Sequence, residues 1–259
     1  LTWILFEEPE AFLHPTQIGV LSSDLRVLAS GASSQVLIST HNPQFATHSI
    51  RNLPAICRLQ KEDCQTKAFQ ISQPKLDSIL TVNQQDMSAW IAAKIPVDAD
   101  DLSTDMEAIK YALWLDSRRA SAFFSEKVLL VEGPTETSLL SYMTDQGLIP
   151  ALRGVTVIDT IGKFNIHRFM NLFGELGIRH YVLYDGDVGR HAPVDSTISA
   201  AKNAYTGGID TFPKDLEDFL GIPAASKPHR KPQHVMHKVS AGAVNLNSLA
   251  SKVGALVSL

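Results

Sequence analysis

Two short acidic motifs have residue types and spacing that could do chemistry. Glu132-Gly133-Pro134-Thr135-Glu136 follows the apolar run 127–131, and Asp185-Gly186-Asp187 follows the apolar run 179–184. In the first motif, glycine permits a tight turn and proline suits the opening position of a helix. Glu132 is therefore expected at the carboxyl end of a strand and Glu136 in the first turn of a helix, both facing one crevice. In the second motif, two acids flanking a glycine at a strand end can turn toward the same ion. Each motif also has a plainer reading. An acid in a first helical turn is favoured by the helix dipole, and Asp-Gly is a common turn dipeptide. The pair is more informative than either alone, because ligands of an open parallel sheet gather outside the carboxyl ends of the strands where strand order reverses. Converging carboxylates are costly without cations, and an all-oxygen donor set matches hard divalent ions such as Mg2+ or Mn2+.

A second constellation lies at the start of the chain. Ile4-Leu5-Phe6-Glu7-Glu8-Pro9-Glu10 is an apolar run ending in paired acids. Such a strand can place one carboxylate, Glu7, near the magnesium of a nucleotide and the next, Glu8, where it orients the attacking water. The alternative is a strand that ends in a solvated turn. Leu13-His14-Pro15-Thr16-Gln17 follows, and Ser39-Thr40-His41-Asn42-Pro43 comes after the next apolar run, where His41 could reach a terminal phosphate.

These amino-terminal motifs resemble the Walker B, D-loop and H-loop of ABC and SMC-like ATPases. The segments FEEPEAFLHPTQ and ISTHNPQF are similar to the version found in the OLD (overcoming lysogenization defect) family. The sequence holds no GxxxxGK[ST] loop and no signature motif, so it lacks the backbone cradle that binds phosphates. It opens inside an apolar run, which leads us to expect a longer natural protein whose missing amino-terminal half supplies that loop, with ATP as a ligand of the whole.

The phrases VLLVEGPTE and YVLYDGDVG resemble the Toprim domain, which is shared by topoisomerases, DnaG-type primases and OLD-family nucleases, and are most similar to the OLD branch. This resemblance covers roughly residues 124–238. It implies a metal-dependent endonuclease that hydrolyses DNA by a two-metal mechanism, with Glu132, Glu136, Asp185 and Asp187 as ligand candidates. A later acid of the family pattern maps to Glu217, which could instead be a solvated helix position. The family's late lysine is best matched by Lys231, with Lys227 and Lys238 as competitors. The implied catalytic set is Glu132, Asp185, Asp187 and Lys231. The run 227–238 (KPHRKPQHVMHK) is either a solvated loop or a phosphate-backbone contact made by Lys227, Arg230, Lys231 and Lys238. Its histidines form no closed zinc set, and Pro228 and Pro232 are expected to break local structure. Homo-oligomerisation through the ATPase region and a role in phage defence are implied by the family alone. A regulatory, nucleotide-sensing scaffold with a degenerate Toprim site is the alternative. Topoisomerase and primase readings lack a tyrosine context and polymerising elements.

The elements that must position these residues follow from periodicity. Strands 127–131, 155–159 and 179–184 alternate with helices 134–146 and 164–176, a pattern that predicts an α/β fold, a Rossmann-like parallel sheet flanked by helices. A helix is expected at roughly 213–221. Upstream, we expect buried strands at 1–6 and 35–39 around a helix at 15–30 whose apolar face is Ile18, Leu21, Leu25 and Leu28. A short helix or loop at 43–49 and a hairpin at 55–60 and 67–72 complete that region. Residues 74–122 read as helical, with a break at 95–101 and a helix from about 104 to 122. The predicted division is 1–73 as the carboxyl-terminal portion of an ATPase domain, 74–122 as a connector and 123–259 as the Toprim domain.

Bulk composition sets few limits. The 259 residues are 44% hydrophobic and 19% charged, as in a globular protein. The formal net charge of −4 argues weakly against nucleic-acid binding, although acidic metal sites lower net charge and a local basic patch can still hold phosphate. Two cysteines make no disulfide framework or CxxC pair. No apolar run reaches the roughly 20 residues of a membrane span, no signal peptide is visible, and a cytoplasmic location is the default expectation.

Overall fold

The computed structural model describes residues 2–31, 33–46 and 50–259. Strand β1 (Thr2–Glu7), helix α1 (Pro15–Ser30) and β2 (Ser34–Ser39) come first, the two strands pairing in parallel. His14 caps α1, accepting from the Thr16 backbone, and Pro15 occupies its first turn. The strands are not buried, contrary to expectation. Trp3, Leu5 and Leu37 alternate onto a face that is exposed, while Ile4, Phe6, Val36 and Ile38 on the other face are half-covered. An apolar run shows that both faces of a strand are hydrophobic, but here only one is covered. The buried face of α1 is Ile18, Ser22 and Leu25, with Leu28 outside it. Of the expected 43–49 element, Pro43–Phe45 forms a single 3-10 turn, and 47–49 lie outside the described residues.

Strands β3 (Cys57–Glu62) and β4 (Gln65–Gln70) form a hairpin. Its turn residues Asp63 and Cys64 both have positive φ, 48° and 63°, as a two-residue turn matched to strand twist requires. Arg58 fastens the hairpin to the rest of the molecule. Its buried guanidinium donates to the carbonyls of Phe123, Ser125, Leu176 and Gly177 at 2.9–3.2 Å.

Helices α2 (Gln73–Ala92), α3 (Thr104–Trp114) and α4 (Ser117–Ala120) follow. The single helix expected from 104 to 122 is broken after Trp114. Asp116 caps α4 by accepting from the Arg119 nitrogen at 2.9 Å, a local alternative that competes with helix continuation.

The remainder is an alternating α/β unit: β5 (Lys127–Val131), α5 (Pro134–Asp145), β6 (Val155–Asp159), α6 (Ile166–Glu175), β7 (Arg179–Asp185), α7 (Ala192–Ala200) and β8 (Thr206–Phe212). Helices α8 (Leu216–Phe219), α9 (Lys231–Ser240) and α10 (Asn247–Val257) complete it. The four strands are parallel in the order β6-β5-β7-β8. Strand order therefore reverses beside β5, and the crevice between the ends of β5 and β7 is the place where such a sheet takes its ligand.

Side chains of β5 alternate between two cores. Val128 and Leu130 pack with Phe169, Met170 and Phe173 of α6 and with Leu76, Met87 and Trp90 of α2. Leu129 and Val131 pack with Leu139, Leu140 and Met143 of α5, Val235 of α9 and Val253 of α10. A strand covered on both faces must be apolar throughout, which accounts for the unbroken run VLLV. Residues of the 74–122 stretch share the first of these cores.

Strand β8 was not foreseen. Its sequence, TGGIDTF, lacks strong alternation, and its glycines answer to packing: a Cβ on Gly207 would lie 2.3 Å from the Tyr181 ring. The helix expected at 213–221 shortens to Leu216–Phe219 between its cap, Asp215, and Gly221, whose φ is +69°. Pro228 opens a 3-10 turn (Pro228–Arg230), but Pro232 does not break the chain as expected: it occupies the first turn of α9, where proline is tolerated. No helix of the described residues is long and apolar enough to cross a membrane.

Candidate metal centre

Glu132 leaves the end of β5 and its carboxylate Oε1 accepts from the backbone nitrogen of Asp185 at 2.6 Å, directly joining the two motifs. Glu136 lies in the first turn of α5. Its Oε2 accepts from the Gly133 nitrogen at 3.1 Å, so the helix-start role and a site role coexist in one side chain.

Lys231, at the start of α9, reaches into the acids. Its Nζ lies 3.1 Å from Asp185 Oδ2 and 2.9 Å from Glu217 Oε2. Glu217 is buried rather than solvated, 5% exposed on α8. The exposed Lys227 and Arg230 and the half-buried Lys238 lie in the turn before α9 and on the helix itself, outside these ion pairs.

The Asp185-Gly186-Asp187 turn is bound to the exit of β8. Gly186, Asp187 and Val188 donate backbone hydrogen bonds to the carbonyls of Phe212, Lys214 and Pro213 at 2.7, 2.8 and 3.1 Å. Glycine is required between the acids because a Cβ there would lie 2.8 Å from the Phe212 carbonyl oxygen. Asp187 and Val188 both take positive φ, 50° and 53°, a conformation that non-glycine residues hold only when their surroundings enforce it.

Asp187 faces a different pair of partners, His191 Nδ1 at 3.0 Å and Lys163 Nζ at 3.2 Å. Sequence reasoning missed both. Lys163 lies just past the end of β6, so the rule that sites form at strand carboxyl ends could have flagged it.

The electrostatics follow from burial. Desolvation, with the Asp185 and Glu136 charges added, pushes the Glu132 carboxyl up to about 8. Burial likewise pushes Glu136 up to about 7 although Lys231 opposes it, and raises Asp185 against the same opposition. At Asp187 burial would raise the carboxyl, but hydrogen bonds from His191 and Lys163 outweigh it and hold it below its ordinary value. At Lys231 burial favours the neutral amine, yet Asp185, Glu217 and Glu136 prevail and hold it firmly protonated.

Glu132, Glu136 and Asp185 resist ionisation, so their part of the cluster is short of positive charge, and its donors are all oxygen. These residues thus fit a hard divalent cation. Among the described residues no three Asp, Glu, His or Cys side chains converge as a finished cage; Lys231 and Lys163 stand between the acids instead.

At the amino-terminal end, Glu8, at φ 42°, pairs with His41 Nε2 at 3.2 Å. Glu10 accepts from the Thr40 hydroxyl and, at 3.2 Å, from the His41 nitrogen. Glu7 is exposed at the end of β1. The structure brings Glu8 and His41 together and leaves Glu7 open to solvent.

A four-stranded parallel sheet in this order, with acids at the ends of β5 and β7, defines an α/β domain of the Rossmann-like class. The comparisons refine that class. Residues 123–187 match the family model described as overcoming lysogenization defect protein-like, TOPRIM domain. The chain is 27% identical over 192 residues to the Old nuclease of Escherichia phage P2, covering 72% of this chain and 28% of that protein. It is 25% identical over 186 residues to the OLD nuclease of Thermus scotoductus, covering 71% of this chain and 31% of the relative. Uncharacterized protein YbjD of Escherichia coli is 24% identical over 222 residues, 84% of this chain and 34% of its own length. Residues 123–187 are thus similar to the OLD-like Toprim domain, and the chain spans about a third of the length of these relatives.

Proposed function

We propose that this chain is the nuclease-bearing part of a metal-dependent DNA endonuclease. The observation that carries the reading is the joining of Glu132 to Asp185 at the β5/β7 crevice, with Lys231 between Asp185 and Glu217. The residues that would hold Mg2+ or Mn2+ are Glu132, Glu136, Asp185, Asp187 and Glu217. When bound, two such ions supply Lewis-acid activation of water and neutralise charge on the leaving oxygen.

The chain's own residues do the rest. Lys231 presents a fixed positive charge at the mouth of the acidic cluster, suited to a phosphodiester. Glu132 orders the Asp185 backbone, and so the direction of that side chain. Lys227, Arg230 and Lys238 would contact the DNA backbone, a sequence-independent and salt-sensitive contribution.

In this reading residues 1–73 are the carboxyl-terminal portion of an ABC-type ATPase domain. Glu7, Glu8 and His41 would meet ATP, with assembly into homo-oligomers through the ATPase region. The Glu8–His41 pairing supports this.

The test is nicking of supercoiled plasmid with Mg2+, Mn2+ or Ca2+ by this chain and by Asp187→Ala. Metal-dependent nicking lost in the variant supports the reading. No nicking with any metal, and no thermal shift on adding Mg2+ or Mn2+, would favour the regulatory scaffold.

A further inference from the structure

Lys163 is among the least accessible charged groups of the molecule, 3% exposed. It lies in the loop between β6 and α6 and belongs to neither acidic motif. Its ammonium donates to the Asp185 carbonyl at 2.7 Å and to Asp187 Oδ2 at 3.2 Å, and pairs with Asp195 of α7 at 2.7 Å. It also lies over the Tyr184 ring, 5.1 Å from its centroid. The next residue, Phe164, packs edge-on against His191 at 5.4 Å, and His191 is the other partner of Asp187. One loop thus holds Asp187 twice, directly through Lys163 and through the ring that Phe164 supports.

Three features show what this hold does. The turn it grips contains two consecutive non-glycine residues at positive φ, a geometry that persists only where the surroundings enforce it. The backbone bonds to the β8 exit fix the amide side of that turn; Lys163 fixes its carbonyl and carboxylate side. A buried ammonium is costly without partners, and here all its partners belong to β7, the turn or α7.

We propose that Lys163 is a positioning residue, holding the Asp185-Gly186-Asp187 turn in its strained form so that Asp187 is presented to the crevice. Its role in turnover rests on the nuclease reading, whereas its role in shaping the turn does not.

The experiment compares wild type with Lys163→Met and Lys163→Gln by hydrogen exchange of the segment 183–190 and by plasmid nicking with Mn2+. Exchange in that segment should quicken about tenfold or more, as expected for a lost charge-assisted hydrogen bond, with the β5 and α6 amides unchanged. Nicking kcat should fall about 100-fold, the scale of a misplaced reacting group, with KM for DNA little changed. Ethylammonium added to Lys163→Ala should slow exchange in 183–190 and restore part of that kcat together, which ties both effects to the ammonium rather than to the side chain's bulk. Unchanged exchange in a folded variant overturns the proposal. Failure of both variants to fold overturns it too, because Lys163 would then support the fold at large. If wild type itself does not nick, the nuclease reading fails while the exchange result still decides the role of Lys163.

Discussion

The carboxylate of Glu132 and the backbone nitrogen of Asp185 meet at 2.6 Å across 53 residues of sequence. This contact makes two acidic motifs into one site, because it fixes the first carboxylate against the peptide that carries the second.

Glu132→Gln keeps an acceptor for that amide and removes the charge. With the Glu132 carboxyl pushed up to about 8, a neutral side chain resembles its state near pH 7 without metal. The melting temperature in metal-free buffer should therefore hold, while plasmid nicking drops by about 100-fold or more. Wild-type nicking by this variant would remove Glu132 from the site.

Lys231 and the basic residues around it should separate in kind. Lys231→Met takes the ammonium from between Asp185 and Glu217 and should abolish cleavage at every salt concentration. Alanine at Lys227, Arg230 and Lys238 should instead weaken DNA binding uniformly and lower the slope of log affinity against log salt by about one per lost phosphate contact. Fluorescence anisotropy across a salt series distinguishes the two behaviours.

Glu107 and Arg168 form a bidentate pair at 2.7 and 2.8 Å, both nearly inaccessible, linking α3 to α6. Glu107→Gln should cost roughly 3–5 kcal/mol, because the guanidinium stays buried without its counter-charge. The double replacement Glu107→Met, Arg168→Met should cost markedly less than the two single changes summed. Urea denaturation of the three variants measures this.

The buried His180 and His167 set an acid limit on stability. Burial, only partly opposed by the Ile178 carbonyl, holds His180 down at about 4, and burial holds His167 well below its ordinary value. Between pH 6.5 and 4 the unfolded chain takes up protons that the native state refuses. Their contribution is therefore complete above pH 6.5 and is lost as pH falls toward 4, by roughly 3 kcal/mol for His180. Unfolding free energies at pH 7 and 4.5 should differ less in His180→Gln than in wild type.

The sequence displayed the parts of the site whose residue types are uncommon where they stand. VLLVEGPTE and YVLYDGDVG combine strand, turn and acid within a few residues, so both the elements and their carboxyl ends could be read. Lys163 and His191 were hidden because a single lysine or histidine in a loop has no local signal; its meaning comes from the strand ends around it. Strand β8 was hidden for another reason: its glycines serve the Tyr181 ring rather than strand periodicity. The exposure of Trp3, Leu5 and Leu37 was equally unreadable, since periodicity reports what a face is made of and not what lies against it.

Strand β5 alternates between two cores, and Glu132 is its next residue. Its aim is therefore inherited from how four aliphatic side chains share space above and below the sheet. A conservative change such as Leu130→Val, which touches no site carboxylate but sits two residues before Glu132, should in the nuclease reading register in turnover as well as in folding. In the nuclease reading, interior volume and chemical rate become two readings of one dimension.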